Sequence, residues 1–599
     1  MEDMAIETHT QGGGFLLAAT DPQAARAPED FTDEQRLLAA TVRDFVTREV
    51  LPHRAQIEAR EPGLMPAILK QAGEIGLLMV EVPQAYGGAG MGLTSGLILM
   101  EICALGGASF SVSLADHVGI GTLPIVYSGS PALRQKYLPL LATGARLGCY
   151  ALTEPQSGSD ALAARTSAEL APDGTHYLLN GSKQYITNAA FSDLFTVFAR
   201  VDRSLFTAFV VERTAPGLTI GKEEHKMGIV GSSTCPVLLD NVPVPVENVL
   251  GEVGAGHRVA FNILNLGRLK LGAGCLGGMK FAMSHAVSYA KQRQQFGRPI
   301  ASFGLIQQKI ADMTLYTYAV ESLVYRTAGV LEAHLAGLDH TAPDYDAQVV
   351  KGIEEFAVEC AIAKVFGSEA LDFVVDEMLQ IYGGNGFIED FPAARAYRDA
   401  RINRIFEGTN EINRLLIPDT LLRRAMRGQL PLLEAVQQVS KNLFAPLAPL
   451  RDSDAAPLQV DEDLLERCKH ALLLCAGTAV QTFRDALAEQ QEILGLIADM
   501  VIAVYAAESV LLRTLKHGRG VDGAYNQLRL DLARVWCRQL PETIERLGST
   551  VLTAAAEGDT LSTQLAALKK LTRAIPLNSI ALKRRVAVAT LAAERYPLG

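Results

Sequence analysis

Hydrophobic spacing along the chain has two textures, and the switches between them divide it. From Phe31 the apolar residues Leu37, Leu38, Val42, Phe45, Val46 and Val50 recur at helical intervals after the capping-type start Thr32-Asp33-Glu34-Gln35. Pro52 ends or kinks that helix, and helical spacing continues to about Gly148, broken by a loop from Pro83 to Gly90. Between residues 150 and 250 the texture becomes β-rich. Leu194 to Val201 and Leu205 to Glu212 flank Asp202-Arg203-Ser204, and Asn180-Gly181 predicts a hairpin turn within His176 to Asn188. From about Gly256 the helical pattern returns and holds to Arg427. Pro446, Pro449 and Pro457, with Asp452-Ser453-Asp454 between them, then predict a linker. Beyond it Leu464, Leu465, Cys468, Leu472 and Cys475 share one helical face. The expected organisation is an arm over 1–30, a helical domain over 31–149, a middle β domain over 150–255, a second helical domain over 256–430 and a helical extension over 431–599.

Composition narrows the function more than the fold. With 49% apolar residues over 599 positions, a large core can form and global disorder is excluded. Lys plus Arg number 55 against 66 Asp plus Glu, a net charge of −11, which disfavours sequence-independent nucleic-acid binding. Eight scattered cysteines, none in a Cys-x-x-Cys pair, fit a reducing compartment and no disulfide scaffold. The start carries Glu2, Asp3 and Glu7 and no basic residue within ten positions, so a secretory or transit leader is not expected. No membrane span is expected either: Ile493 to Leu512 comes nearest, but contains Asp499 and Glu508 and is read as a buried helix.

Several chemistries are missing: there is no P-loop, no His-Glu-x-x-His or comparable metal spacing, and no Gly-x-Ser-x-Gly elbow, so no metal site is expected. Four segments remain. Cys149 to Asp160 offers hydroxyls around a glycine turn. Arg293 to Pro299, followed by Phe303 to Gln307, offers arginines able to hold phosphate. Gln380 to Phe387 contains paired glycines that permit close backbone approach. Tyr397 to Ile412 sets Glu407 between bulky apolar residues and Gly408; partial removal from water would raise such a carboxyl toward neutrality and let it act as a base, and a surface glutamate beside a helix cap is the alternative.

Together, in this order and spacing over about residues 31–430, these segments resemble the acyl-CoA dehydrogenase family, and Ile263 to Arg268, Phe303 to Gln307 and the helical block after 430 resemble its very-long-chain branch and certain bacterial long-chain enzymes. The resemblance implies an N-terminal helical domain, a β-barrel-like middle domain, a four-helix bundle and an extra helical domain. It also implies FAD as cofactor and oxidation of a long-chain or very-long-chain acyl-CoA to the trans-2-enoyl-CoA. Glu407 would abstract the α-proton while the β-hydrogen leaves as hydride to the flavin, and the Glu407 backbone N–H with a flavin hydroxyl would stabilise the thioester oxygen. Tyr150, Leu152, Thr153, Gly158 and Ser159 match flavin-contacting positions, as do Tyr185 and Thr187, Tyr185 standing where many members have Trp. Arg293, Phe296, Gln380 and Gly384 match residues reaching the FAD of a neighbouring subunit, and Thr409 a contact to the FAD diphosphate. Ser159, Leu264, Arg268 and Gly408 match substrate positions, and Gly304 stands where many members have Gln.

Further expectations follow from the resemblance. Electrons would pass to electron-transfer flavoprotein. The enzyme would be a homodimer whose extension covers the surface that shorter relatives use to form tetramers. It would be cytoplasmic in a bacterium, with a processed mitochondrial-matrix protein as the alternative. An oxygen-using acyl-CoA oxidase and a scaffold with little catalysis are the competing functions. Leu430, Leu432, Leu433, Val436 and Val439, preceded by Arg423, Arg424 and Arg427, form a stripe open to two uses: core packing or peripheral membrane contact.

Overall fold

The computed structural model describes residues 11–443, 445–450, 456–519 and 526–598. Helices dominate on either side of a sheet domain that occupies 148–250. The first helix, Asp33–Phe45, starts with a capping box: Gln35 N donates to Thr32 Oγ1 at 3.2 Å and Thr32 N to Gln35 Oε1 at 3.1 Å. Around Pro52 the chain does not stop. It passes through a π turn, Val46–Val50, and a 3-10 turn, Leu51–His53, into helix Arg54–Glu58.

The strands of the sheet domain are β1 (Gly148–Ala151), β2 (Ser167–Leu170), β3 (His176–Thr187), β4 (Leu194–Val201), β5 (Leu205–Glu212), β6 (Leu218–Ile220), β7 (Thr234–Pro245) and β8 (Val249–Leu250); the sheet runs β6-β7-β3-β2-β4-β5-β8, with β1 joined in parallel to β4. Strands β4 and β5 (Leu205–Glu212) pair antiparallel through all eight residues, as the spacing predicts. Strand β4 lacks an exposed face because its alternate residues serve different cores. Phe195, Val197, Ala199 and Val201 fill the domain's own interior, whereas Leu194 and Phe198 join the helical core. The hairpin expected at Asn180-Gly181 does not form. Strand β3 (His176–Thr187) runs straight through and pairs with β7 (Thr234–Pro245), with a register shift between Leu179 and Gly181. Gly181 serves close approach there, since a Cβ would sit 2.5 Å from Thr166 Oγ1.

Four long helices form the bundle: Gly256–Gln292, Gly304–Ala336, Ala357–Tyr382 and Asn410–Met426. The extension lays helices Gln459–Phe483, Gln491–His517, Gln527–Ala555, Gly558–Leu571 and Ser579–Ala593 beside it. The junction is charged and dry. Arg513 bonds Glu321 at 2.6 Å and Glu29 at 2.9 Å, Arg326 bonds Glu508 at 2.6 Å, and Tyr596 donates to Glu321 at 2.7 Å. Helices 108–128 and 491–517 are long and apolar enough to cross a membrane, but 83% and 78% of their apolar windows are buried within the protein. Glu508 also bonds Lys469 and Asp499 bonds Arg414, so the charges in helix Gln491–His517 face partners.

Two expectations need correction. Of the arm, Met1 to Thr10 lie outside the described residues, but residues 11–30 are not loose. Phe15 and Leu16 are buried, and Gly12 N and Gly13 N donate to Glu355 and Glu359 at 2.9 and 2.7 Å. The glycines permit this contact, for a Cβ on Gly12 would meet the Glu355 carbonyl at 1.9 Å. The stripe after Gln429, open to core packing or surface contact, packs in part: Leu430 is fully buried, Leu432, Val436 and Val439 are half-buried, with Val436 near Gly477, and Leu433 is exposed. Arg424 is no surface anchor, being buried against Glu355. Asp452, Ser453 and Asp454 of the expected linker fall outside the described residues. Its flanks, 445–450 and the stretch before helix Gln459–Phe483, are largely irregular.

Candidate active site

The turn before helix Asn410–Met426 carries Glu407 in the left-handed region, at φ 59°, followed by Gly408 at φ 78°. A non-glycine residue held there is strained, and such strain persists only where its surroundings over-determine the turn. They do so here. Arg268 Nε donates to the Glu407 carbonyl at 3.2 Å, Lys364 Nζ to the Gly408 carbonyl at 2.8 Å, and Asn413 Nδ2 to the Gly408 and Thr409 carbonyls at 2.8 and 3.0 Å. Lys364 also bonds Asn410 at 2.7 Å, and Arg268 is fixed by Asn265 at 2.8 Å.

The Glu407 carboxylate points away from these donors, into a cavity. Its Oε2 is buried without a hydrogen-bond partner. Burial raises this carboxyl from its ordinary 4.5 to about 7, opposed by the charges of Arg268 and then Lys364. Gly267 makes the space, since a Cβ there would stand 2.9 Å from Oε2. Asp116 lies on the same cavity wall, buried, with both oxygens unpartnered. Burial first, then the charge of Glu407, holds it well above the usual carboxylate range, opposed by the nearby Asn188 amide.

The cavity measures about 180 Å³. On one side it follows a single face of helix Gly256–Gln292, from Gly267 through Leu271, Gly274 and Gly278 to Phe281. Ala104, Ala108, Ala115 and Gly119 form the facing wall. Small side chains at helical spacing on both walls keep the space open where a core would otherwise close it. Leu114 is fully buried and does not line the space, whereas Ala115 does.

Beside this cavity the structure gathers the predicted flavin residues from separate segments. Gln184 N donates to the Thr153 carbonyl at 2.9 Å, placing the 152–159 loop against Tyr185 and Thr187, and Thr187 lines the cavity. Glu154 anchors the loop from within: it accepts from Lys183 Nζ at 2.7 Å and Arg165 N at 2.6 Å while buried. Tyr185 is 59% exposed, leaving its ring free as a platform, and Gly158 and Ser159 are exposed at the loop's turn. Tyr150 is not on that ledge. It is buried edge-to-face against Phe198, with its pKa pushed up by burial and then the charge of Glu407. Leu152 is buried and Leu264 half-buried behind the site. Thr409 caps helix Asn410–Met426 by accepting from Ile412 N at 3.3 Å, beside a polar hollow of about 120 Å³ lined by Arg401 and Arg404. Arg401 Nη1 and Arg404 Nε are buried there without hydrogen-bond partners, with Glu369, which Arg414 pairs, and Glu411 lining the same hollow.

Arg293, Phe296, Gln380 and Gly384 are not brought to this cavity. They cluster at the opposite ends of two bundle helices, where Tyr289 stacks on Tyr382 at 4.1 Å and Asn385 bonds Tyr289 at 3.1 Å. All four are exposed, Phe296 at 92%. Asp116, Gly267, Lys364, Asn413 and the Glu154–Lys183 pair escaped the sequence reading. A glycine inside the helical run Leu266-Gly267-Arg268 was the one visible signal.

A buried carboxyl on a mainly apolar cavity, beside a ledge of hydroxyl and aromatic side chains, fits an oxidoreductase that holds a flavin, and comparisons with known proteins agree. Family profiles match in order: acyl-CoA dehydrogenase N-terminal domain over 32–145, middle domain over 149–242, and C-terminal domains over 254–422 and 467–570. A probable acyl-CoA dehydrogenase of Bacillus subtilis is 46% identical over 590 residues, 98% of each chain. The human mitochondrial very long-chain specific acyl-CoA dehydrogenase is 43% identical over 358 residues, 58% of this chain and 52% of that one. The crystal structure of an acyl-CoA dehydrogenase complexed with FAD from Bacillus anthracis superposes with a TM-score of 0.95 at 46% identity, covering 98% of this chain and 99% of that one. The chain belongs to the acyl-CoA dehydrogenase family.

Proposed function

We propose that this protein is an FAD-dependent dehydrogenase of long-chain acyl-CoA, yielding the trans-2-enoyl-CoA. The observation that carries the reading is Glu407 Oε2, buried and unpartnered at one end of an apolar cavity, on a carboxyl raised to about 7. A carboxylate so placed has no protein donor on Oε2 and is free to meet the α-carbon of a bound thioester, and near neutrality it is ionised often enough to take the proton. Arg268 and Lys364 keep it from rising further, and Gly267 leaves room for the α-carbon. FAD, when bound, supplies the acceptor for the β-hydrogen as hydride. Thr153, Ser159, Tyr185 and Thr187 would hold its ring system and Thr409 its diphosphate, with Arg401 and Arg404 as donors nearby. The acyl chain would lie between the glycine and alanine walls, excluding water from the base.

Arg293, Phe296, Gln380 and Gly384 would complete the FAD site of a second copy in a homodimer, which accounts for a ring left as exposed as Phe296. Electron-transfer flavoprotein is the expected acceptor. The B. subtilis and B. anthracis relatives support a bacterial cytoplasmic setting over a mitochondrial one.

The test is spectroscopic. The holoprotein, mixed with hexadecanoyl-CoA under argon, should lose its flavin absorbance within the mixing time. It should regain it on adding an electron acceptor but only slowly in air. An unbleached flavin overturns the dehydrogenase reading, and rapid hydrogen peroxide formation in air shows an oxidase.

A further inference from the structure

The end of the cavity remote from Glu407 is not closed by apolar groups alone. Phe281 lies 14 positions along the helix from Gly267 (281 − 267), ~21 Å at 1.5 Å per residue, about the span of a sixteen-carbon chain. Arg54 lines the cavity at that end, its guanidinium 5.0 Å over the Phe281 ring. Arg54 makes no hydrogen bond or salt bridge with any described residue, and its Nε is buried without a partner. Arg395, close enough for the two positive charges to oppose each other, also has a buried, unpartnered Nε.

The acids nearby, Glu58 and Asp399, attract Arg54 by charge without bonding it, and each already holds a donor on one oxygen. Glu58 accepts from Ser109 Oγ at 3.1 Å and Gly231 N at 3.2 Å, and Asp399 accepts from Ile229 N. His285, its ring tilted against Phe281 at 4.3 Å, is held below its ordinary pKa by burial and then by Arg54, so it is neutral near pH 7. Arg54 and Arg395 thus each keep a buried donor that these acids do not take, and the methyl terminus of a simple acyl chain offers them nothing.

We propose that Arg54 forms a subsite for the terminal carboxylate of a long ω-carboxyacyl-CoA, so that the substrates include long dicarboxylic acids thioesterified at one end. This rests on the reading of Glu407 as base and of the cavity as the acyl site. A guanidinium matches a carboxylate in geometry as well as charge. Arg54 is only partly buried, so a carboxylate beside it keeps some of its water and escapes the full cost of desolvation. A shorter ω-carboxyacyl chain would leave its charge between Gly267 and Gly278, where Lys270 on the wall is already paired with Glu81 and small apolar side chains surround it. Tolerance of the ω-carboxylate must therefore rise with chain length.

The experiment measures kcat/KM of the holoenzyme for ω-carboxyacyl-CoA and the unsubstituted acyl-CoA of equal length, at about eight and about sixteen carbons. The ratio of the two should rise ~10- to 100-fold from the shorter pair to the longer, the value of a charge-assisted hydrogen bond. Arg54→Met should abolish that rise, and Arg54→Lys should keep part of it; normal flavin content shows that both variants are folded. A ratio that does not rise with length, or a rise that survives Arg54→Met, overturns the proposal. If unsubstituted hexadecanoyl-CoA is not oxidised, the dehydrogenase reading beneath it falls too.

Discussion

Glu407→Gln separates two consequences of one buried carboxyl. The amide keeps nearly the same shape but cannot take a proton, so turnover should fall at least ~10²-fold while FAD stays bound. The same change should alter stability in a pH-dependent way. Burial raises Glu407 from 4.5 to about 7, so the folded protein holds this proton more tightly than the unfolded chain does. The stability tied to that proton is complete below pH 4.5 and is lost as pH rises through about 7. At ~1.4 kcal/mol for each pH unit between those values, the wild type gives up ~3 kcal/mol, and the glutamine variant gives up none. Thermal unfolding of both proteins without acyl-CoA, followed from pH 5 to pH 8.5 by tryptophan-independent circular dichroism, measures the difference. The variant should gain on the wild type as pH rises and level off above neutrality. The wild-type kcat/KM should climb over the same interval as the base ionises. A stability difference that does not change with pH, or a variant retaining over a tenth of wild-type turnover at saturation, refutes the assignment of Glu407 as a desolvated base.

Two further substitutions test the supports of that base and of the flavin ledge. Gly267→Ala puts a methyl 2.9 Å from Glu407 Oε2, and the carboxylate, as the end of a flexible side chain, will move aside. We expect kcat to drop ~10- to 100-fold with the melting temperature little changed, and a fully active, equally stable variant would show that the carboxylate position is not critical. Lys183→Met leaves Glu154 buried against backbone donors without its cation. It should destabilise the protein by ~3 kcal/mol and weaken FAD retention, measured by denaturant unfolding and flavin content after dialysis; wild-type values for both would refute the anchoring role.

Much of this protein was legible one residue at a time. Helical and β periodicity located the sheet domain between two helical regions, because burial on one face imposes spacing on the sequence whatever the fold. The runs that became β4 and β5 were read to the residue. The burial of the Glu407 carboxyl was legible too, since an acid set between Phe406 and Gly408 advertises its desolvation locally. Where local chemistry admitted two uses, tertiary structure chose. Asn180-Gly181 has the composition of a turn, yet a bulge within β3 satisfies the backbone equally well once Thr166 needs the space. The glycine-rich start looked like a loose arm, but its glycines admit the backbone against Glu355. Arg424 looked like a surface anchor until Glu355, 69 positions away, paired with it. Asp116, Lys364 and Arg54 carry no local signature, because an acid or base is ordinary until its surroundings withhold or supply water and partners. Those surroundings are assembled from segments far apart in the chain, and only packing brings them together.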